Sequence, residues 1–153
     1  MSAVLKCQPG FAALRAEDLD EVMAIENAVY THPWTRGNFA DSLAAGYQCR
    51  SYRAGAELLG YFIMIVAVGE AHLLNLSVSP QRHRQGVGAS LLREVMRCAR
   101  ESDARHLFLE VRPSNLAGQA LYARFGFRRI AVRRGYYPAD AGREDALVLT
   151  LDL

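Results

Sequence analysis

The chain has 153 residues, 51% of them hydrophobic, and a formal net charge of +2 at pH 7. This length and composition predict a single domain over residues 1–153 with a real hydrophobic core. So small a net charge gives no electrostatic case for bulk nucleic-acid binding. The N-terminus lacks the basic-then-apolar pattern of a secretory signal. The longest apolar run, Leu58–Val68, is too short to span a bilayer, so no membrane association is expected.

Cysteine and histidine spacing excludes two further classes of protein. The three cysteines are far apart and form no C-x-x-C pair: Cys7, Cys49 and Cys98. The four histidines show no metal-ligand spacing: His32, His72, His83 and His106. The sequence therefore predicts neither a disulfide framework nor a metal site, and a reduced, cytoplasmic compartment fits best.

The predicted elements alternate between strands and helices. Strands are predicted at Phe11–Leu14, Cys49–Arg53, Leu58–Val68, His72–Val78 and Leu107–Val111, with a final pair at Phe127–Arg134 and Ala146–Leu151. Helices are predicted at Asp18–Ala28, from a Thr35 cap to Leu43, through Ser90–Ala99 to about Ser102, and from Ser114 or Asn115 to Phe125, where Gly126 stops the helix. The last two strands are expected to be joined by a loop that contains Tyr136, Tyr137 and Pro138. The strand–helix–strand order between His72 and Val111 implies one parallel pair. An α/β (α+β) fold follows, with a mixed, mostly antiparallel sheet and helices on both faces.

A glycine-containing turn joins the His72–Val78 strand to the helix that follows. The segment from Val78 to Gly88 reads Val-Ser-Pro-Gln-Arg-His-Arg-Gln-Gly-Val-Gly. Exposed N–H groups at a helix start suit a pyrophosphate, and Gly86 and Gly88 let the backbone approach it closely. Arg82 and Arg84 add positive charge. The turn is not a P-loop, and Leu91 breaks the dinucleotide pattern, so an ordinary strand-to-helix turn is the alternative.

Three polar residues farther along each allow two interpretations. Glu110 lies in an apolar strand, where it is either a general base facing a cleft or a charge paired with an arginine such as Arg112. Tyr122 is either a core residue or an acid able to protonate a leaving thiolate. Asn115 is either a helix cap or a ligand contact.

Five arginines cluster late in the chain: Arg124, Arg128, Arg129, Arg133 and Arg134. A solvated face is the simpler interpretation of this cluster. Contact with RNA or with an acidic partner is the alternative.

Several motifs together resemble those of the GNAT family of N-acetyltransferases. His83–Gly88 is similar to the family's acyl-coenzyme A loop, Gln/Arg-x-x-Gly-x-Gly/Ala, with His83 replacing the usual Gln or Arg. Glu110–Asn115 and Ala120–Phe127 look like its two downstream motifs. Arg133–Pro138 with Gly142–Ala146 resembles the terminal hairpin of family members that acetylate N-terminal amines, and His32–Thr35 is also similar. The resemblance runs from about Leu14 to Leu151.

The resemblance implies a role for each candidate residue. Acetyl-CoA would be the cosubstrate, and no metal would be needed. The pantetheine arm would pair with the backbone of Leu76, Ser77 and Val78. The pyrophosphate would be held by Arg84, Gln85, Gly86, Val87, Gly88 and Ala89, and Asn115 would contact the cofactor. Glu110 would be the base and Tyr122 the acid. Trp34, Tyr136 and Tyr137 would bind the substrate.

The acceptor implied by the resemblance is a protein N-terminus, the alanine of a small-subunit ribosomal protein. A lysine or small-amine acetyltransferase of the same fold is one alternative. A non-catalytic acyl-CoA-binding regulatory module is another, although the presence of both Glu110 and Tyr122 argues against it. A monomer is the working expectation.

Overall fold

A computed structural model describes residues 8–153, so that Lys6 and Cys7 lie outside the described part of the chain. Seven strands form one sheet with the hydrogen-bonded order β1-β2-β3-β4-β5-β7-β6. The pairs β1–β2, β2–β3, β5–β7 and β6–β7 are antiparallel. Strand β4 pairs with β5 in parallel. The predicted mixed sheet and its parallel pair are therefore confirmed.

The described chain packs as two compact units. The first comprises residues up to Met64 together with Asn75–Arg93, and the second comprises Ile65–Leu74 and Glu94–Leu153. Two strands and one helix pass from one unit to the other: β3 (Glu57–Ala67), β4 (Glu70–Val78) and α3 (Val87–Glu101).

The remaining elements of the first unit are β1 (Gly10–Ala13), α1 (Leu19–Val29), α2 (Arg36–Ala44) and β2 (Gln48–Ala54). Helix α2 begins where the sequence predicts, because the Thr35 side chain accepts a hydrogen bond from Asn38 N at 3.1 Å. Asn38 Oδ1 accepts in return from Thr35 N at 2.9 Å. This reciprocal pair satisfies two N–H groups that a helix start leaves unpaired.

The remaining elements of the second unit are β5 (His106–Val111), α4 (Leu116–Arg124), β6 (Arg128–Ala139) and β7 (Gly142–Asp152). Asn115 caps α4 by accepting from Gly118 N at 2.9 Å. Gly126, with φ +92°, follows the helix end and confirms the predicted stop. The core of this unit includes Leu107 and Leu109 on β5, each at most 1% exposed.

The final hairpin corrects one prediction. Tyr136, Tyr137 and Pro138 belong to strand β6 and not to a loop, and Tyr137 pairs with Glu144. The register shifts between Arg133 and Tyr137, where Gly135 adopts φ +58°. Such a bulge lets the strand bend and continue, and Pro138 is tolerated because β6 is an edge strand.

Candidate active site

The glycine turn has the geometry of an anion-binding helix start. Gly86 has φ +82° and no atom within 4 Å of where a Cβ would lie. Helix α3 begins at Val87, earlier than predicted, so Gly88 and Ala89 lie in its first turn. Gln85, Gly86 and Val87 line an open cleft of about 660 Å³. Backbone N–H groups at this helix start are therefore presented to a solvent-accessible space.

The two arginines of the turn differ in their pairing. Arg82 donates to both carboxylate oxygens of Glu57, at 2.7 and 2.5 Å, so its charge is largely compensated. Arg84 is exposed, adopts φ +62° and forms no ion pair among the described residues. Of the two, Arg84 is the cation available to an anionic ligand.

The end of β4 exposes backbone groups on one side. A Cβ at Gly60 on β3 would lie 2.6 Å from Ser77 O, so the Ser77 carbonyl points toward β3. Because successive residues of a strand present their backbone polar groups to opposite sides, Leu76 and Val78 present theirs away from β3. Two side chains reach these carbonyls: Tyr30 Oη donates to Leu76 O at 3.1 Å, and His83 Nε2 lies 2.9 Å from Val78 O.

A buried polar cluster centres on Glu26 of α1, which is 1% exposed. Its carboxylate accepts from Tyr61 Oη at 2.6 Å, from Trp34 N at 2.9 Å and from Asn75 Nδ2 at 3.3 Å. Burial raises the pKa of Glu26, and the hydrogen bonds from Tyr61, Trp34 and Asn75 lower it by less. Nothing in the sequence distinguishes Glu26 from other acidic residues, although its carboxylate fixes the backbone of Trp34.

The cluster continues to the end of β4. Ser77 Oγ donates to Asn75 Oδ1 at 2.7 Å and lies 2.8 Å from Tyr30 Oη. Burial raises the pKa of Tyr30 to about 12 and that of Tyr61 still further. Both phenols are therefore neutral hydrogen-bond donors at neutral pH. Together these contacts tie the segment after α1 to the strand that carries Leu76 and Val78.

Glu110 has a partner other than the arginine considered above. The Arg112 guanidinium pairs with Glu144 instead, at 3.1 Å. Glu110 Oε1 lies 2.7 Å from His72 Nε2, and the Glu110 side chain is only 9% exposed. The pairing with Arg112 is therefore wrong, and His72 is a neighbour that sequence reasoning missed.

Tyr122 and Asn115 both have structural roles. Tyr122 is 8% exposed, and its ring meets Phe127 edge to face with centroids 5.5 Å apart. The core interpretation of its ring therefore holds, which leaves the role of the hydroxyl open. Asn115 uses Oδ1 to cap α4, as one of its two predicted roles requires.

Tyr136 and Tyr137 lie together on the bulged part of β6. Their ring centroids are 4.9 Å apart in an edge-to-face arrangement. Asp145 accepts from Gly135 N at 2.9 Å, and Arg143 donates to Tyr136 O at 3.1 Å. These contacts hold the bulge, which is what lets two consecutive tyrosines of a strand approach each other. Tyr136 remains 40% exposed.

Cys49 and Cys98 are buried and form no disulfide. Each of the five clustered arginines is exposed, as a solvated face requires. Within residues 8–153 there is no group of histidine, cysteine and acidic side chains that could hold a metal ion. No helix in the same range is long and apolar enough to cross a membrane.

The chain belongs to the acetyltransferase (GNAT) family, whose model matches residues 11–127. It is 34% identical over 142 residues to the [ribosomal protein bS18]-alanine N-acetyltransferase of Escherichia coli strain K12, covering 93% of this chain and 96% of that one. It is 33% identical over 140 residues to the enzyme of the same name from Salmonella typhimurium, covering 92% and 95%. The crystal structure of the ribosomal-protein-S18-alanine N-acetyltransferase from E. coli has a TM-score of 0.87 to this fold, with 33% identity and coverage of 95% and 94%.

Proposed function

We propose that this protein transfers the acetyl group of acetyl-CoA to a protein N-terminal α-amine, the alanine of a small-subunit ribosomal protein. The observation that carries the proposal is the 34% identity over nearly the full length of an enzyme named for that reaction. A matched stretch of 142 of the 153 residues necessarily includes Trp34, Tyr136 and Tyr137. We further propose that residues 1–153 form one acetyltransferase domain and that the protein acts as a monomer. Its proposed location is the cytoplasm, where its ribosomal-protein substrate is made.

The residues present fit acetyl-CoA. The N–H groups of Leu76 and Val78 point away from β3 and can pair with the amides of a pantetheine arm, with Ser77 between them. The turn from Arg84 to Ala89, through Gln85, Gly86, Val87 and Gly88, offers backbone donors and the Arg84 charge to a pyrophosphate. Asn115 retains its Nδ2 donors for the cofactor, because its cap uses Oδ1.

In the proposed mechanism, bound acetyl-CoA supplies the acetyl thioester. Glu110 removes a proton from the substrate ammonium, directly or through one water. The neutral amine nitrogen forms a bond to the thioester carbonyl carbon, the carbon–sulfur bond breaks, and the nitrogen loses its second proton to water as the amide forms. The Tyr122 hydroxyl gives its proton to the departing sulfur and is later reprotonated by water. No residue needs to form a covalent intermediate.

An α-amine suits so simple a base. Its ordinary pKa of about 7.7–8.0 leaves roughly a third of the groups neutral near pH 7.5, against about one lysine in a thousand at a pKa of about 10.4. The proton transfer to Glu110 therefore has a small free-energy cost for an N-terminal ammonium. The same carboxylate would face a far larger deprotonation cost with a lysine side chain.

Aromatic side chains of both units would bind the substrate. Tyr136 and Tyr137 are held edge to face on the β6 bulge, and Trp34 is held through its backbone by Glu26. We propose that each of these rings is a contact for an extended peptide terminus with a small first residue. A bulky first side chain would clash with these rings.

A panel of short peptides tests this function. The panel varies the first residue and includes one peptide with a blocked N-terminus and a free lysine. Alanine-first peptides should be acetylated, bulky-first peptides poorly and the blocked peptide hardly at all. Turnover of the blocked lysine peptide alone would favour the lysine alternative. Cofactor binding without turnover of any amine would favour the regulatory module.

A further inference from the structure

The pair formed by His72 and Glu110 is part of the parallel ladder between β4 and β5. His72 is in register with Phe108, and Glu110 lies two residues farther along β5 on the same face of the strand. The imidazole reaches along this face, and its Nε2 lies 2.7 Å from Glu110 Oε1. The imidazole is 36% exposed, whereas the carboxylate side chain is 9% exposed.

The two carboxylate oxygens of Glu110 differ in their hydrogen bonding. The bond to His72 is the one polar contact of this side chain within residues 8–153. Oε2 has no hydrogen-bond partner in that range, and it is not fully buried. One oxygen is thus held by the imidazole, and the other is open to a substrate or a water. A nearly buried carboxylate on an apolar strand loses hydration, and the hydrogen bond from His72 offsets part of that cost.

We propose that His72 is the positioning residue for the catalytic base, a role that rests on the proposed function of Glu110. An ionised carboxylate can only accept hydrogen bonds, so the imidazole presents Nε2–H to Oε1. This bond fixes the rotamer of Glu110 and directs Oε2 toward the ammonium proton. Oε2 takes that proton and releases it to water after the transfer, while the imidazole keeps its own proton throughout.

The chain offers a matched control for this pair. His106 lies on β5 as well, and its Nδ1 is 3.1 Å from Asp152 Oδ1. That pair is exposed, with side-chain exposures of 48% and 66%, and neither residue has a role in the proposed reaction. Replacing His106 therefore removes a histidine–carboxylate contact of the same kind from the same strand without touching the base.

The experiment compares steady-state kinetics of His72→Ala, His72→Gln and His106→Ala on whichever amine of the peptide panel the wild-type protein turns over. His72→Ala should lower kcat by about 10- to 100-fold, the effect expected of a displaced catalytic group, with both KM values and Tm nearly unchanged. His72→Gln keeps an N–H donor at similar reach and should retain kcat within a few-fold. His106→Ala should match the wild type.

A double variant separates positioning from packing. If His72 acts through Glu110, His72→Ala should cause little further loss of kcat in a Glu110→Gln background. Full additivity of the two losses, or a His72→Ala protein with wild-type kcat, overturns the inference while leaving the proposed function intact. A Glu110→Gln variant with wild-type kcat would show that Glu110 is not the base. That result overturns both the assignment of Glu110 as the base and the assignment of His72 as its positioning residue. A wild-type protein that acetylates no amine at all contradicts the proposed function and this inference together.

Discussion

Arg112 and Glu144 form an ion pair that ties the loop after β5 to the terminal hairpin. Arg112 Nη1 lies 3.1 Å from Glu144 Oε1 and donates to Pro138 O at 2.8 Å, and the guanidinium carbon lies 4.3 Å from the centre of the Tyr137 ring. Ser114 N donates to Glu144 Oε2 at 2.9 Å. We call these contacts of Arg112 and Ser114 with Glu144 the clasp. The clasp sets the position of Tyr137, a proposed substrate-binding ring.

Loosening the clasp should impair peptide use more than cofactor use. We expect Glu144→Gln to lower kcat/KM for an alanine-first peptide by about 10- to 100-fold, because displacing a positioning group by about 1 Å has an effect of that order. KM for acetyl-CoA should change little. Asp152→Asn is the matched control, since Asp152 is an exposed carboxylate with two ion pairs at the opposite end of β7. Equal effects of the two variants would refute a specific role for the clasp.

The buried carboxylate of Glu26 should matter for stability. In Glu26→Leu the donors of Tyr61, Trp34 and Asn75 lose their acceptor, and each unpaired buried donor costs about 1–3 kcal/mol, so we expect about 2–5 kcal/mol in the free energy of unfolding after relaxation. Tyr61→Phe removes one of these bonds and should cost about 1 kcal/mol. Urea denaturation measures both. A Glu26→Leu protein as stable as the wild type would show that the cluster does not support the fold.

Glu26 should also give the stability a pH dependence of defined sign. Burial raises its pKa in the folded protein above the ordinary value of 4.5. The folded state therefore binds this proton more tightly, and the contribution is fully present below about pH 4.5 and is lost as the pH rises through the raised value. The difference in unfolding free energy between the wild type and Glu26→Gln should fall across that window. A difference that grows with pH there would contradict the assignment.

Tyr122 offers a test that separates chemistry from packing. Tyr122→Phe keeps the ring and its edge-to-face contact with Phe127, so Tm should change little. Loss of the proposed acid should lower kcat by about 10- to 1000-fold, toward the lower part of the range for general acid catalysis. Full kcat with a lowered Tm would mean that the hydroxyl serves the fold alone.

Pyrophosphate binding at the glycine turn can be tested by introducing one negative charge there. Gly88 lies in the first turn of α3, where an aspartate is favourable to the helix dipole, so Gly88→Asp should fold normally. Its carboxylate would repel a pyrophosphate and raise KM for acetyl-CoA strongly. Gly88→Asn has nearly the same shape without the charge and should have the smaller effect. Unchanged cofactor affinity in Gly88→Asp would falsify this site.

Most of the fold could be predicted from the sequence because its elements carry local signals. Thr35 and Asn115 occupy cap positions, Gly126 ends a helix, and the strand–helix–strand order around α3 implies a parallel pair. The hairpin differs from the prediction because Gly135 and Pro138 flank Tyr136 and Tyr137, and glycine and proline usually indicate a loop. The bulge that keeps them in a strand depends on Asp145 and Arg143, which lie across the turn on β7.

The site was predicted less completely, since its partners come from different elements. Glu110 stands out in an apolar strand, but its contact with His72 depends on the register between β4 and β5. Glu26 looks like an ordinary acidic residue of an amphipathic helix. Its burial follows from Tyr61 and Asn75, which are 35 and 49 residues away along the chain. Only the parallel pairing, which was predicted, could have suggested His72.

The choice between α-amine and lysine is tested most directly within one molecule. A peptide that begins with a free alanine and carries one internal lysine is incubated with acetyl-CoA and the enzyme, and mass-spectrometric fragmentation locates the acetyl group. We predict acetylation at the alanine α-amine, with the lysine unmodified and Glu110→Gln much slower. Acetylation at the lysine with a free N-terminus would contradict the proposed function.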